Sequence, residues 1–237
     1  LNGLTAAGVN VSGVATNPDM SSGIAVISVD ETGQNSITQI LGANDTCGTE
    51  QASTVKQELP EAAGLLLQLE TSIGLSLEVA YDARSMGVMV MLDPGPVRPL
   101  PEEFLRICDV ITPNETEAQA LVGFPVTGPE SATKAAYALL ERGVGAAVIK
   151  LGSQGAYFAD ADNQGIVQPF QVDAVDSVAA GDAFNGALAV SLAEGKTLEE
   201  GVNIACAAGG LAVTQTGAQD SMPERESVED LIRSQRR

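Results

Sequence analysis

Short apolar segments of strand length alternate with segments of helical length along this 237-residue chain, and this alternation constrains the fold more than any other feature. The apolar segments lack the regular polar positions of a half-exposed strand, which is typical of strands buried on both faces. They are 64–70, 88–93 and 146–152. Helices are predicted at 71–87 and 131–143, each closed by a glycine. The alternation predicts an α/β fold in which helices cover both faces of a mainly parallel sheet.

Other segments complete the predicted layout. The β-rich segments 23–30 and 35–41, joined by "ETGQ", predict a hairpin that lies as a flap beside the main sheet. Ser131 is a candidate helix cap, and Thr197 with Glu200 forms a capping box at the start of a last long helix. Shorter elements are predicted at 102–109 (helix), 110–112 (strand), 155–160 (strand) and about a dozen residues after Gly181 (helix). Ligands of such folds bind at the carboxyl ends of the strands.

Composition excludes several classes of function. A net charge of −19 argues against a nucleic-acid partner, because no basic patch offsets phosphate repulsion. The absence of histidine removes Ser-His-Asp and Cys-His catalysis and His-ligated zinc. Cys47, Cys108 and Cys206 are widely separated, as expected for reduced thiols in a cytoplasmic protein. No apolar segment reaches 18 residues, so no membrane-spanning helix is expected.

The segment 176–186, "DSVAAGDAFNG", places three small residues before an acid at a predicted helix start. The first N–H groups of a helix lack internal partners, and Ala179, Ala180 and Gly181 would let an anion approach them. Asp182 beside that anion would accept the proton of a hydroxyl that attacks a phosphoryl group. Taken alone, the segment is better explained by an acid that interacts with the helix dipole, with small residues for close packing.

Four ordered motifs change this balance. They are "TPNETEA" (112–118), "KLGSQGAYF" (150–158), "DSVAAGDAFNGALAV" (176–190) and "TQTGAQDSMP" (214–223). Together with the hairpin and "LLLQLE", they resemble the ribokinase-like (PfkB) sugar kinases over about residues 1 to 230. The resemblance implies one domain over 1–237 with a three-layer α/β/α fold, in which 22–44 forms part of a β lid.

The resemblance also implies an activity, the ATP-dependent phosphorylation of D-ribose to D-ribose 5-phosphate. Asp182 is then the catalytic base and also contacts the sugar. Ala179, Ala180 and Gly181 form the anion hole for the γ-phosphate, and Glu70 contacts ribose. The alternatives are another sugar or nucleoside kinase, such as a fructokinase, and a non-catalytic protein of this fold that binds only nucleotide. A dinucleotide-binding oxidoreductase is disfavoured because no GxGxxG motif follows a strand.

Nucleotide and magnesium positions follow from the same resemblance. Glu117 acts on Mg²⁺ through a bound water molecule, since Mg²⁺ keeps several waters in proteins. Lys150 stands where many relatives have threonine and would add positive charge to the phosphate site. The positions implied to bind ATP are Asn114, Lys150, Leu151, Gly152, Ser153, Gln154, Gly155, Gly181, Asp182 and, beside the adenine, Cys206. Without the resemblance, "LGSQG" is an ordinary turn and "PNETE" a helix start with acids near its positive end.

A monovalent cation, potassium, is the other implied cofactor. Its ligands by resemblance are the Asp176 side chain, the carbonyl groups of Val178, Ala212, Gln215 and Gly217, and Ser221. Loop carbonyl groups suit a hard cation, and such an ion would shape the adjoining anion hole. Without the resemblance, Asp176 is a residue of an Asx-turn.

The family's first strand and its "GGKGAN" motif, which hold the sugar, have no counterpart in this sequence. We therefore expect an N-terminally truncated form that is inactive by itself but retains nucleotide binding. The chain starts at Leu1 rather than Met, so a targeting segment, including a plastid transit peptide, would lie outside it. The resemblance further implies that the whole protein is a homodimer formed through the β lid.

Overall fold

A computed structural model of the chain describes residues 1–29 and 35–235. The strands are β1 (Ile24–Val29), β2 (Asn35–Ile40), β3 (Gly64–Leu67), β4 (Met89–Leu92), β5 (Val110–Ile111), β6 (Ala146–Lys150), β7 (Ala156–Ala159) and β8 (Gln164–Val167). The helices are α1 (Asn2–Ala6), α2 (Thr49–Glu58), α3 (Ile73–Ser85), α4 (Glu102–Ile107), α5 (Glu115–Val122), α6 (Pro129–Glu141), α7 (Ala180–Ala193), α8 (Leu198–Ala212) and α9 (Arg225–Gln235).

The main sheet confirms the predicted α/β class. Its spatial order is β3-β4-β5-β6-β7-β8, the same as the order of these strands along the chain. β3 to β6 pair in parallel, whereas β7 and β8 are antiparallel additions at one edge. The carboxyl ends of the four parallel strands therefore meet at one edge of the sheet, where the loops after them converge.

Helices cover both faces of this sheet, because successive side chains of each apolar strand point to opposite faces. One core lies beneath α3 to α6 and the other beneath α7 and α8. The first receives Val90, Leu92, Ile111, Ala147 and Ile149 from the sheet; the second receives Met91, Val110, Ala146 and Val148. This three-layer arrangement explains why the parallel strands carry no polar face.

The small sheet is the predicted hairpin. β1 and β2 pair antiparallel, with Ile24 opposite Ile40 and Val26 opposite Thr38. The predicted turn "ETGQ" lies outside the described residues. The Gln39 Nε2 atom donates a hydrogen bond of 2.7 Å to Glu70 Oε1, and this bond connects the hairpin to the loop after β3. The hairpin therefore reaches the edge where the parallel strands end.

Helix boundaries differ from the sequence prediction at one cap. Helix α6 begins at Pro129 with Gly128 as its N-cap, so Ser131 lies inside the first turn. The Ser131 hydroxyl accepts hydrogen bonds from the N–H groups of Thr127 and Gly128, which precede the helix. Ser131 therefore stabilises the start of α6 from a position inside its first turn. The Thr197–Glu200 capping box of α8 is confirmed.

Three elements were not predicted, namely α2, β8 and α9. Helix α8 is consequently not the last helix of the chain, since α9 follows it.

Among the described residues, no helix combines the length and apolar character that crossing a bilayer requires.

Candidate active site

A cavity of about 900 Å³ opens at the carboxyl ends of the parallel strands. The side chains that bring chemistry to it come from the loops after β3, β4 and β5, from the last residue of β6, and from α7. They are Glu70, Asp93, Asn114, Glu117, Lys150 and Asp182. The cavity thus collects residues that are more than 100 positions apart in sequence at the place where α/β folds bind ligands.

Asp182 lies in the first turn of α7 and lines the cavity. Desolvation by the cavity walls raises the pKa of its carboxyl group, repulsion by Asp93 raises it further, and the charge of Lys150 opposes both effects. A carboxylate with a raised pKa is a stronger proton acceptor than an ordinary aspartate. The position and electrostatics of Asp182 therefore suit a general base.

Ala179, the N-cap of α7, has a φ of 61° and is in the left-handed region. This conformation turns the chain sharply into the helix and leaves Ala179 and Gly181 on the cavity wall. The N–H group of Ala180 donates to Ser177 O at 3.4 Å, so it is partly engaged within the loop. The N–H groups of Gly181 and Asp182 belong to the helix turn that has no intrahelical acceptors. They are the better donors for an anion.

Lys150 and Asp93 form a half-buried ion pair across the cavity floor. Lys150 Nζ lies 2.9 Å from Asp93 Oδ2, and the two side chains are 14% and 23% exposed. Asn185, on α7, donates its amide N–H to the same carboxylate oxygen. The pair joins the ends of β4 and β6 across β5, and Asn185 ties α7 to both.

Asn114 and Glu117 form a reciprocal cap at the start of α5. The Asn114 side chain accepts from Glu117 N at 2.9 Å, and Glu117 Oε2 accepts from Asn114 N at 2.8 Å. Burial raises the pKa of Glu117, whereas its bond from the Asn114 backbone lowers it. The predicted "PNETE" helix start is therefore real, and the same carboxylate also faces the cavity.

Glu70 lies three residues beyond the end of β3, with its carboxylate bonded to Gln39 of the hairpin. Arg98 organises this loop from behind, because its Nη1 atom donates to Leu69 O at 3.1 Å and Thr71 O at 2.9 Å. The structure thus places Glu70 between the hairpin and the main sheet, on the lining of the cavity.

The predicted nucleotide loop is only partly at the cavity. The Leu151 side chain is buried in the core beneath α3 to α6, so a ligand contact at this position would use the backbone. Gly152, Ser153 and Gln154 form one exposed helical turn outside the cavity lining. Gly155 has a φ of 85°, and a Cβ there would lie 2.0 Å from Val167 O. Packing against β8 therefore requires a glycine at this position, and the predicted ATP contacts of the loop, which its backbone would make, stay a prediction.

Cys206 is also placed differently from its predicted position. It lies on α8, packed against the cores beneath and beside that helix, and outside the cavity lining. The predicted adenine contact of Cys206 stays a prediction.

The predicted cation loop is brought together by Asp176. Its carboxylate accepts from Val178 N at 3.0 Å and from Gly217 N at 3.1 Å, and these two bonds lower its pKa. The Ala212 carbonyl group accepts from Gln215 N at 3.3 Å, and Ser221 is buried. Asp176 therefore connects the turn before α7, which contains Val178, with the segment after α8, which contains Gln215, Gly217 and Ser221.

Sequence reasoning assigned no role to two residues of the cavity, Asp93 and Asn185. Asp93 directly follows an apolar strand, as acids at the carboxyl edge of a parallel sheet do. Asn185 lies three positions after Asp182 and therefore on the same face of α7. Both signals were present in the sequence.

A three-layer α/β fold with a hairpin flap, and an acid at a helix N-terminus facing the sheet's carboxyl edge, define the ribokinase-like class of sugar kinases. The chain belongs to the pfkB family of carbohydrate kinases, whose family model matches residues 1–225.

Known relatives agree with this assignment. The chain is 34% identical over 231 residues to ribokinase from Haemophilus influenzae, covering 98% of this chain and 76% of that protein. It is 36% identical over 233 residues to the bifunctional ribokinase/ribose-5-phosphate isomerase A of Fructilactobacillus sanfranciscensis, covering 98% of this chain but 43% of that protein. The structure of Arabidopsis thaliana ribokinase complexed with ribose and ATP matches with a TM-score of 0.84 and 33% identity, over 95% of this chain and 73% of that one.

Proposed function

We propose that the protein transfers the γ-phosphoryl group of ATP to the 5-hydroxyl group of D-ribose, giving D-ribose 5-phosphate. One observation carries the proposal: a single cavity contains Asp182 at the start of α7 together with Glu70, Asn114, Glu117 and Lys150. The similarity to ribokinases supports ribose as the sugar. Glu70 then contacts ribose, and Asn114 contacts the nucleotide.

Asp182 acts as the base in this proposal. Its carboxylate takes the proton of the attacking hydroxyl while that oxygen bonds to the γ-phosphorus and the bond to the ADP oxygen breaks. The N–H groups of Gly181 and Asp182, with the positive end of α7, stabilise negative charge on the transferred group.

The residues present fit a magnesium ion. A Cβ placed at Gly95 would lie 2.8 Å from Glu117 Oε1 and 3.9 Å from Asp93 Oδ1, so the glycine leaves room between two carboxylates. Asp93 Oδ1 is buried without a hydrogen-bond partner among the described residues. Carboxylate oxygens are preferred Mg²⁺ ligands. Glu117, through water, and Asp93 would hold the ion, which supplies charge neutralisation for the phosphates.

Two further parts of the proposal concern potassium and assembly. The carboxylate of Asp176 and the neighbouring loop carbonyl groups would hold a potassium ion beside the start of α7.

The hairpin carries three exposed apolar side chains, Ile24, Val26 and Ile40, whose exposed fractions are 53%, 51% and 57%. Such apolar side chains suit the predicted homodimer contact through the lid.

A substrate panel tests the activity. The protein expressed from its complete gene is assayed with Mg-ATP and ribose, fructose or adenosine, with coupled detection of ADP. We expect the highest kcat/KM for ribose. Preference for fructose or adenosine would make the protein another kinase of the family, and no turnover with any acceptor would favour a protein that only binds nucleotide.

The variant Asp182→Asn tests the mechanism. We expect kcat to fall by about 10²-fold or more while ATP affinity is nearly unchanged, because the base is lost and the N-terminus of α7 remains. Unchanged turnover would remove Asp182 from the mechanism.

A further inference from the structure

Lys150 is the one ammonium group among the described residues that line the cavity. The other cation there, Arg98, donates two hydrogen bonds to backbone carbonyl groups of the loop after β3. Four carboxylates share the cavity, those of Glu70, Asp93, Glu117 and Asp182. A nucleoside triphosphate adds further negative charge, so the position of this single ammonium group decides where its phosphates are best accommodated.

The ammonium group lies at the start of α7. Lys150 Nζ lies 3.5 Å from the point where a Cβ of Gly181 would stand. The lysine is also close enough to Asp182 and Glu117 for its charge to lower the pKa of both. It therefore lies between the proposed base and the proposed magnesium carboxylate.

Two hydrogen bonds of Lys150, and a third made to its partner Asp93, hold the lysine in this place. Its N–H group donates to Pro113 O at 2.8 Å, which fixes the backbone beside Asn114. Its ammonium group donates to Asp93 Oδ2 at 2.9 Å, and Asn185 donates to that same oxygen. An ammonium group has three N–H donors, so the bond to Asp93 leaves donors available for a ligand.

The surroundings of the pair favour a role beyond joining strands. Asp93 Oδ1 and Asn185 Oδ1 are buried and lack hydrogen-bond partners among the described residues. Buried acceptors without partners destabilise a fold, and natural structures contain few of them. A purely structural tie between β4 and β6 would be better served by apolar packing.

We propose that Lys150 contacts the phosphoryl group in transfer, and that Asp93 and Asn185 are positioning residues that hold its ammonium group at the start of α7. The inference rests on the proposed function. As the sugar oxygen bonds to phosphorus and ADP departs, negative charge remains on the non-bridging oxygens of the transferred group. Lys150 stays protonated and stabilises that charge, while the hydroxyl proton goes to Asp182.

Nucleotide binding gives the first test. Calorimetry on the 237-residue chain compares Mg-ATP with adenosine for the wild type, Lys150→Met, Lys150→Arg and the control Lys56→Met. The control loses the same charge at an exposed site, where Lys56 pairs with Glu78 at 3.1 Å and Asp82 at 3.0 Å. We expect Lys150→Met to weaken ATP binding by about tenfold or more and adenosine binding by less than about twofold. Lys150→Arg should retain most ATP affinity.

Turnover gives the second test, on the protein expressed from its complete gene. We expect Lys150→Met to lower kcat by about 10²-fold with little change in the KM for ribose, because the lost contact strengthens as charge develops. If Asn185 acts through Lys150, Asn185→Leu lowers kcat in the wild type but has little further effect in the Lys150→Met variant, whereas Asp93, which would also hold magnesium, is unsuitable for this cycle.

The outcomes separate this inference from the proposed function. If the wild type binds no ATP and phosphorylates no acceptor, both are wrong. If the wild type is active and Lys150→Met behaves like Lys56→Met, only the role of Lys150 is wrong. Equal loss of ATP and adenosine affinity with a lower Tm would also overturn the inference, because the pair would then be structural.

Discussion

At the scale of single residues, the cavity is governed by competition among charges. Burial raises the pKa values of Asp182 and Glu117, and Asp93 raises both further by repulsion. The positive charge of Lys150 lowers the pKa of both carboxyl groups and so opposes these effects. Asp93 and Lys150 are partners in one ion pair, yet they shift the pKa of the proposed base in opposite directions.

These opposite effects predict a pH dependence. The reaction requires ionised Asp182, so kcat/KM falls as pH drops through its pKa, and a raised pKa places this acidic limb above that of an ordinary aspartate. Lys150→Met removes an attractive charge and should move the limb to higher pH. Asp93→Asn removes a repulsive charge and should move it to lower pH. Rate profiles measure both, with Lys56→Met as a control that stays unshifted.

Parallel shifts in the two variants, or no shift in either, would contradict this account. Such a result would mean that a group other than Asp182 controls the acidic limb.

Residues that belong to contiguous motifs could be predicted from the sequence. Ala179 to Asp182 stand together because one turn and one helix start build that part of the site. Asp93 and Asn185 could not be placed in the same way, because their contact spans 92 positions and depends on how α7 packs on the sheet. Leu151 belongs to a contiguous motif, but strand alternation turns its side chain into the core, which the motif alone does not show.

At the scale of elements, the entry into α7 contains backbone strain. Ala179 is the one residue other than glycine with positive φ in the described part of the chain. An L-residue in this conformation costs about 1 kcal/mol or more.

Replacement by glycine should release that strain. We expect Ala179→Gly to raise stability by about 0.5–1 kcal/mol, since the relief exceeds the added entropy of the unfolded chain. Ala180→Gly is the matched control, because it places glycine at a helical position and should lower stability. Denaturant unfolding measures both. A loss of stability in Ala179→Gly would show that the turn is not strained.

The turns connected by Asp176 give a second prediction at this scale. If they hold potassium beside α7, added KCl should raise the initial rate of the protein from its complete gene, with caesium a substitute and sodium poorer. The comparison is made at fixed ionic strength, and Asp176→Ala should abolish the response. A flat response of the wild type would mean that the segment is only a loop.

Elements with strong apolar periodicity were predictable, whereas polar ones were not. The buried strands of the parallel sheet are predictable because their sequences are continuously apolar. Helix α2 buries only Ala52 among its residues and has no clear apolar stripe. Helix α9 has a short one, because Val228, Leu231 and Ile232 pack in one cluster, but most of its residues are polar. Strand β8 has mostly exposed positions and exists because β7 offers it a partner. Contacts with residues distant in sequence determine whether such elements form, and the local sequence does not reveal those contacts.

At the scale of the whole molecule, the charge is strongly unbalanced. The chain has 31 acidic and 12 basic residues, which leaves 19 negative charges in excess. Many of the acids must face each other across solvent, and their repulsion destabilises the compact state.

Salt should therefore stabilise this protein. Raising ionic strength from about 0.01 M to about 0.15 M shortens the screening length from about 30 Å to about 8 Å, so long-range repulsion weakens. We expect Tm to rise in choline chloride, measured by calorimetry, with any additional rise in KCl assigned to the potassium site. A fall in Tm would mean that screened ion pairs, such as Lys56–Asp82, outweigh the repulsion.

The agreement between strand order in space and along the chain has a consequence for synthesis on the ribosome. Each strand from β4 onward pairs with the strand that left the exit tunnel just before it, so the sheet can grow by one edge as translation proceeds. Pairing of consecutive strands keeps the sequence separation between contacting residues smaller than pairing of distant strands would, which favours faster folding. Helix α7, which bears Asp182, is made only after β8, so the cavity becomes complete late, when that helix docks on a sheet that is already assembled.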